Sequence, residues 1–284
     1  MTLQQAIQSA TELFAADAHL RESARRDAEA LVMHTAGISR AALLANPARD
    51  LTEQELGRYR ELVARRAAYE PMQYITGTQE FYGISFRVTS AVLIPRPETE
   101  HLVEAVLEHV AHDRAVRIVD VGTGSGAIAI ALALHLPRAS VLAVDLSPAA
   151  LAIAQENAVA LNASGRVRFA VSDLLDSLPL QEKLESFDVL VSNPPYVPLS
   201  DGEQMHPQVR EYEPATALFA GGDGLDVYRR LIPQAKSALK QGGLLALEIG
   251  FGQRGGLEQL LSGWRDVSFA EDLQGIPRVA LARK

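Results

Sequence analysis

From Arg117 onward the sequence alternates short, continuously apolar runs with stretches of helical periodicity, and this alternation leaves few folds open. The runs fall at residues 118–121, 141–145, 167–171, 187–191 and 243–249. A strand that is apolar along its whole length is buried on both faces. That requires a mainly parallel sheet with helices packed on each side. Helices are expected at 127–136, from about Pro148, and at 224–239, and two weaker strands at 267–270 and 279–282 close the chain. The fold class expected is α/β and Rossmann-like.

The first 75 residues have a different texture. Leu3, Ile7, Ala10, Leu13 and Phe14 recur at helical spacing, as do Leu31 and Val32 after Ala24 and Ala28. Thr52 and Glu55 can cap each other's backbone N–H groups while Leu51 packs on Leu56. This capping box with a hydrophobic staple opens a helix that runs to about Ala68. Asn46-Pro47 ends the preceding helix. Residues 1–75 are thus expected to form a small helical bundle domain. Residues 76–94, with Phe81, Phe86 and Val88 among Gly77 and Gly83, read as a β-hairpin linker. Residues 95–284 form the third segment, opening on Pro95 and Pro97 and a helix that buries Leu102, Val103, Val106, Leu107 and Val110.

Composition removes whole classes of function. The net charge of −8 disfavours a protein that holds nucleic acid by neutralising phosphates, and residues 1–75, with 9 Arg against 10 acids, are no basic arm. With no cysteine there is no disulfide, thiolate zinc site, iron–sulfur cluster or thiol nucleophile. No metal site is expected: His109 and His112 share a helix face but lack a third ligand nearby in sequence. The start of the chain has no secretory pattern, and the longest apolar run, 127–134, is too short to span a bilayer. A cytoplasmic protein without membrane association is expected.

Asp120-Val-Gly122-Thr123-Gly124-Ser125-Gly126 joins the first of the strands to a helix. Glycine there permits the tight turn and lets a ligand approach the backbone. Asp145, 23 residues beyond Gly122, ends the second strand, where a carboxylate can accept both hydroxyls of a ribose. Because Ala127 also satisfies the G-x-G-x-x-G/A pattern, the glycines alone specify only a nucleotide-like ligand. Two carboxylates favour S-adenosylmethionine over a dinucleotide. Asp120 would lie beside the cationic methionine end, whereas opposite a pyrophosphate it would be repulsive. Asp173, after the third strand, can accept from an adenine amino group.

The fourth strand runs into Ser192-Asn193-Pro194-Pro195-Tyr196. Ligands of open α/β sheets bind at the carboxyl ends of the strands, so this segment is expected to face the same crevice as the glycines. Its chemistry suits a planar NH2 group. The Asn193 side-chain carbonyl and the Pro194 backbone carbonyl can each accept one N–H. Pro195 biases Pro194 towards an extended backbone, and Tyr196 offers a flat face.

Gly122 to Gly126 together with Asn193 to Tyr196 resemble the amino-methyltransferases that use S-adenosylmethionine. Three further stretches narrow the likeness: Glu70-Pro-Met-Gln-Tyr-Ile-Thr-Gly77, Leu93-Ile-Pro-Arg-Pro-Glu-Thr-Glu100 and Gly221-Gly-Asp-Gly-Leu-Asp-Val-Tyr228. They are similar to the HemK/PrmC family, the peptide chain release factor glutamine N5-methyltransferases, and the likeness covers nearly the whole chain. The resemblance implies a helical, release-factor-recognising N-terminal domain and a seven-stranded methyltransferase domain. It implies methylation of the glutamine amide in the Gly-Gly-Gln loop of bacterial release factors, with S-adenosylhomocysteine as the other product. It assigns Gly122, Thr123, Gly124, Ser125 and Gly126 to the cofactor, Asp145 to its ribose, and Asp173 with Leu174 to the adenine edge. Relatives place an aromatic residue at the position of Leu174. Asn193, Pro194, Pro195 and Tyr196 would hold the substrate glutamine, Asn193 and Pro194 as the catalytic pair, with Asn193 also near the cofactor. Arg96 and Glu98 receive no role beyond a Pro-rich helix start with acids in its first turn.

The alternatives are a ribosomal protein glutamine N5-methyltransferase, which would use the same amide clamp, then a nucleic-acid amino-methyltransferase, which needs a cationic track. Further off lie a nicotinamide oxidoreductase, for which nothing would require Asn193–Tyr196, and a non-catalytic nucleotide-binding module.

Overall fold

The computed structural model describes residues 1–284, and the chain separates into two compact units. One unit comprises Met1–Gly77 with Met205–Tyr212, the other Thr78–Gln204 with Glu213–Lys284.

The first unit is built from α1 (Leu3–Ala15), α2 (Ala24–Ala36), α3 (Arg40–Ala45), α4 (Glu53–Ala67) and α5 (Met72–Thr76). Capping boxes set two of the starts, Thr2 with Gln5 on α1 and Thr52 with Glu55 on α4. Leu3, Ile7, Ala10 and Phe14 of α1 meet Ala28, Leu31 and Val32 of α2 and Tyr59 and Leu62 of α4 in a common core. Leu13, grouped with that stripe by its spacing, is instead half exposed. At roughly 100° per residue it falls off the stripe that Leu3, Ile7 and Phe14 define. Arg66 and Asp27 form a buried ion pair at 2.8 Å. The segment 205–212 joins this unit through Gln208, whose Oε1 accepts from Arg66 Nη1 at 3.1 Å. Tyr212 adds a hydroxyl donated to the Ala68 carbonyl at 2.6 Å.

The second unit starts with a hairpin, β1 (Thr78–Phe81) and β2 (Ile84–Arg87), and a 3-10 turn, Pro97–Thr99, that leads into α6 (Glu100–His109). Its sheet contains β3 (Arg117–Val121), β4 (Ser140–Asp145), β5 (Val167–Val171), β6 (Phe187–Ser192), β7 (Leu239–Glu248), β8 (Arg265–Glu271) and β9 (Pro277–Arg283). The order is β5-β4-β3-β6-β7-β9-β8. Five strands run parallel, while β9 is antiparallel to both of its neighbours. The short connection between β8 and β9 admits only a hairpin, whereas each parallel pair needs a helical crossover. The longer helices that follow are α7 (Ala127–His135), α8 (Pro148–Ala160), α9 (Asp226–Ala238) and α10 (Arg254–Leu260), with a single helical turn at Leu180–Lys183. β7 begins four residues before its apolar run. Leu239 pairs with Phe187 before the register shifts at the glycines and resumes at Val189–Leu244.

From β3 the chain lays down β4 and β5 on one side and then returns to place β6 on the other. The carboxyl ends of β3 and β6 are therefore neighbours at the point where the strand order reverses, the usual ligand crevice of such sheets. Asp120 pairs with Val191, and Ser192 Oγ donates to the Val121 carbonyl at 2.6 Å.

Candidate functional site

The glycine turn leaves β3 directly over β4. Gly122 and Thr123 both donate their N–H to the Val144 carbonyl. Gly122 has φ +75°, and a Cβ at Gly122 or Gly124 would meet no protein atom within 4 Å, so the space above the turn is open to a ligand. Gly126 caps α7, while Thr123 and Ser125 are buried. The Thr123 hydroxyl turns inward and donates to Asp120 Oδ2 at 2.6 Å. Any contribution of Thr123 to a ligand therefore comes from its backbone.

Asp145 accepts from Gly124 N through Oδ2 and from Ser147 N through Oδ1, both at 2.9 Å. Its carboxylate is held rigidly, and the second lone pair of each oxygen remains for hydroxyl donors. Ser172 N bonds the Asp145 carbonyl, which sets Asp173 beside it at the end of β5. Asp173 Oδ2 accepts from Arg230 at 2.7 Å, a partner its sequence position does not reveal. Leu174 follows with φ +50°, an unusual backbone for a leucine, and packs partly against the sheet. Leu146, directly after Asp145, is exposed.

Asp120 is wholly buried and its Oδ1 has no hydrogen-bond partner. Burial pushes its carboxyl up to about 7, against the pull of the Thr123 hydroxyl. An unpaired buried acceptor under an open glycine turn, beside a fixed Asp145, is the acceptor and charge pattern that a nucleoside bearing a cationic tail would satisfy. The residues present fit S-adenosylmethionine.

Directly after β6, Asn193 donates its Nδ2 to Thr99 Oγ1 at 3.0 Å. The Tyr196 hydroxyl donates to Glu248 Oε1 at 3.2 Å, and the Tyr196 carbonyl accepts from Gln253 Nε2 at 2.9 Å. Gln253 also donates to the Gly224 carbonyl and accepts from Gly250 N, so it ties three loops together. A Cβ on Gly224, which has φ +74°, would lie 2.3 Å from the Tyr196 carbonyl oxygen. Glycine in the Gly221–Tyr228 stretch thus lets it pass against the Asn193–Tyr196 turn. Glu248 ends β7 and is buried, with Oε2 unpartnered. Burial raises its carboxyl to about 7, while Thr99, Tyr196 and Arg278 pull it down and Glu98 adds to the rise. Arg96 pairs with buried Glu213, whose other oxygen accepts from Ile94 N, so this arginine braces the Pro-rich turn.

The structure brings Gly122–Gly126, Asp145 and Asn193 to the carboxyl ends of three adjacent strands, with Asp173 one strand further out. Thr99, Glu248 and Gln253 went unread in the sequence as site residues. Thr99 sits among the charged and polar residues Arg96–His101 and Glu248 is a single acid ending an apolar run, and only the Pro95–Glu100 and Gly221–Tyr228 stretches hinted that something packs there.

Residues 5–77 match the PrmC N-terminal domain family, and residues 112–250 match a methyltransferase domain family. A release factor glutamine methyltransferase of Koribacter versatilis is 48% identical over 100% of this chain and 99% of its own length. Proteins of the same name from Geobacter sulfurreducens and Moorella thermoacetica are 46% and 45% identical. These two matches cover 92% and 99% of this chain and 90% and 98% of the relatives. Among solved structures, the hMettl16 catalytic domain in complex with the MAT2A 3′UTR hairpin 6 superposes with a TM-score of 0.57 at 19% identity. That match covers 78% of this chain and 82% of the other. The T. Thermophilus 16S rRNA N2 G1207 methyltransferase, in complex with AdoMet and guanosine, gives 0.50 at 22% identity, covering 73% and 49%. These two likenesses speak for the fold alone. No helix is long and apolar enough to cross a membrane.

Proposed function

The chain belongs to the family of release factor glutamine methyltransferases, and from that premise we propose that it methylates the side-chain amide nitrogen of the glutamine in the Gly-Gly-Gln loop of bacterial peptide chain release factors, in the cytoplasm. The observation that carries this reading is the state of Asn193. Its Nδ2 is committed to Thr99, which leaves Oδ1 as the atom that accepts from a substrate.

When bound, S-adenosylmethionine supplies an electrophilic methyl group on a sulfonium and leaves as S-adenosylhomocysteine. Gly122, Gly124 and Gly126 shape the turn that admits it, with Thr123 and Ser125 contributing backbone. Asp145 takes the ribose hydroxyls, Asp173 and Leu174 border the adenine, and Asp120 faces the cationic methionine end. Asn193 Oδ1 and the Pro194 carbonyl each accept one N–H of the glutamine carboxamide, Pro195 holds the Pro194 carbonyl in direction, and Tyr196 lines the planar group.

An amide nitrogen is a weak nucleophile because its lone pair is delocalised. Two acceptors on its hydrogens draw positive charge from the nitrogen as it forms and hold its lone pair in line. Well-aligned positioning alone is worth up to about 7–11 kcal/mol. The nitrogen gains one carbon and loses one proton. That proton leaves to water, because an amide protonated on nitrogen is a strong acid, and no basic side chain is required.

Incubation with labelled S-adenosylmethionine and purified release factor should label the Gly-Gly-Gln peptide, read by mass spectrometry. Label on a ribosomal protein or on nucleic acid instead would overturn the substrate assignment. Asn193→Ala should lower turnover by about 100-fold or more while the dissociation constant for S-adenosylhomocysteine stays within about threefold. Unchanged turnover would remove the clamp.

A further inference from the structure

Thr99 is buried, and the transfer chemistry above does not use it directly. It closes the 3-10 turn Pro97–Thr99 that opens α6, and α6 packs against β7, the strand ending in Glu248. Its Oγ1 accepts from Asn193 Nδ2, so the hydroxyl has one proton left to donate. The Thr99 hydroxyl helps hold down the pKa of the Glu248 carboxyl, whose Oε1 takes the Tyr196 hydroxyl and whose buried Oε2 has no hydrogen-bond partner. An ionised carboxylate offers only acceptors, and a buried oxygen left unpaired is costly. Turned toward Glu248 Oε2, the Thr99 proton would meet that need and leave Thr99 able only to accept from Asn193.

We propose that Thr99, oriented by Glu248, is a positioning residue that locks the Asn193 carboxamide in the one orientation presenting Oδ1 to the substrate. The inference rests on the reading of Asn193 as the acceptor for a substrate amide. A carboxamide is nearly symmetric in shape, so turning it over exchanges its oxygen and NH2 with little steric penalty. Turned over, Asn193 would aim a donor at the donors of the substrate. Thr99 and Glu248 prevent this by polarity, without touching the substrate. Asn193 and Tyr196, the two ends of the substrate turn, thereby hang on the same carboxylate.

The test compares Thr99→Val, which keeps the shape and removes the hydroxyl, with Thr99→Ser, which keeps the hydroxyl. Thr99→Ala replaces the valine variant should packing be disturbed. At about pH 8, above the value of about 7 to which burial raises Glu248, turnover on release factor should fall about tenfold or more in Thr99→Val. The dissociation constant for S-adenosylhomocysteine should stay within about twofold. Thr99→Ser should recover turnover to within about threefold of wild type. Independently of turnover, the side-chain NH2 resonances of Asn193 in 15N-labelled protein, identified by their loss in Asn193→Asp, should shift and exchange faster in Thr99→Val but not in Thr99→Ser. Wild-type turnover in Thr99→Val, parallel loss of turnover and S-adenosylhomocysteine binding, or unmoved Asn193 resonances would each overturn the relay. A wild-type protein that labels no release factor overturns the function instead, and the resonances still decide whether Thr99 holds Asn193.

Discussion

Asp120 puts an acid under the glycine turn at a measurable expense to the fold. Its pKa is raised from the ordinary carboxylate range to about 7 by burial, with the Asp145 charge adding to the rise. Between about pH 4 and 7 the folded protein keeps a proton that the unfolded chain has released. This group therefore favours the folded state at acid pH, and its contribution is lost as the pH rises toward 7. Asp120→Asn, which can still accept from the Thr123 hydroxyl, should flatten that part of the profile. Denaturant unfolding of the ligand-free protein from pH 4 to 8 should show the variant gaining on wild type by a few kcal/mol, at about 1.4 kcal/mol per pKa unit. Parallel profiles would mean that the carboxyl is already ionised in the folded state. The sequence places Asp120 before the glycines, but it does not show that one of its oxygens is orphaned. That is visible only in the folded chain, where the Thr123 hydroxyl takes Oδ2 and Oδ1 lies buried without a partner.

Among the elements, α8 does more than cover the sheet. Asn157, in its second half and buried, accepts from Arg87 N at 2.8 Å and donates to the Arg87 and Ser125 carbonyls at 3.0 and 2.9 Å. One side chain thus stitches the end of β2 to the glycine turn. Asn157→Ala would leave the buried Ser125 carbonyl and the part-buried Arg87 backbone groups without their partner, so unfolding free energy should drop by about 2–4 kcal/mol. S-adenosylhomocysteine should also bind several-fold more weakly, because the Ser125 carbonyl loses its anchor. Calorimetric titration alongside denaturation checks both, and a loss of stability with unaltered affinity would separate α8 from the turn. Most elements were legible beforehand. The Thr52–Glu55 box marks the start of α4, and the apolar runs of β3 to β6 lie within a residue of their final ends. Asn157 was not, because an asparagine inside a helix looks solvated until one knows that its partners come from 32 and 70 residues away.

Across the whole molecule, the chain leaves the sheet-bearing unit at Met205 and returns to it at Glu213, and the excursion folds with the N-terminal helices. Arg66 is central to that unit, donating to Asp27 at 2.8 Å, to Gln208 at 3.1 Å and to the Glu70 carbonyl at 3.1 Å. His206 joins them: its Nδ1 accepts from Gln208 N, so its Nε2 donates to the His19 carbonyl. Arg66→Leu takes from buried Asp27 its close ion-pair partner, leaving it the Ser23 hydroxyl and Arg26 at 3.8 Å, and breaking a buried pair in this way typically costs about 3–5 kcal/mol. Native-state hydrogen exchange should then show residues 1–77 and 205–212 losing protection together while β3 to β7 keep theirs. Protection of 205–212 that follows the sheet would refute its membership of the helical unit. Hydrophobic periodicity, capping boxes and turn glycines are local properties, so the α/β class, the helical N-terminal segment and the glycine turn were determined by sequence alone. Tertiary structure decided which polar atoms meet: Thr99 with Asn193, Gln253 with Tyr196, Gln208 with Arg66. Each of these bonds joins residues far apart in the chain, and burial makes an unpaired partner costly, so only the packed molecule can settle them.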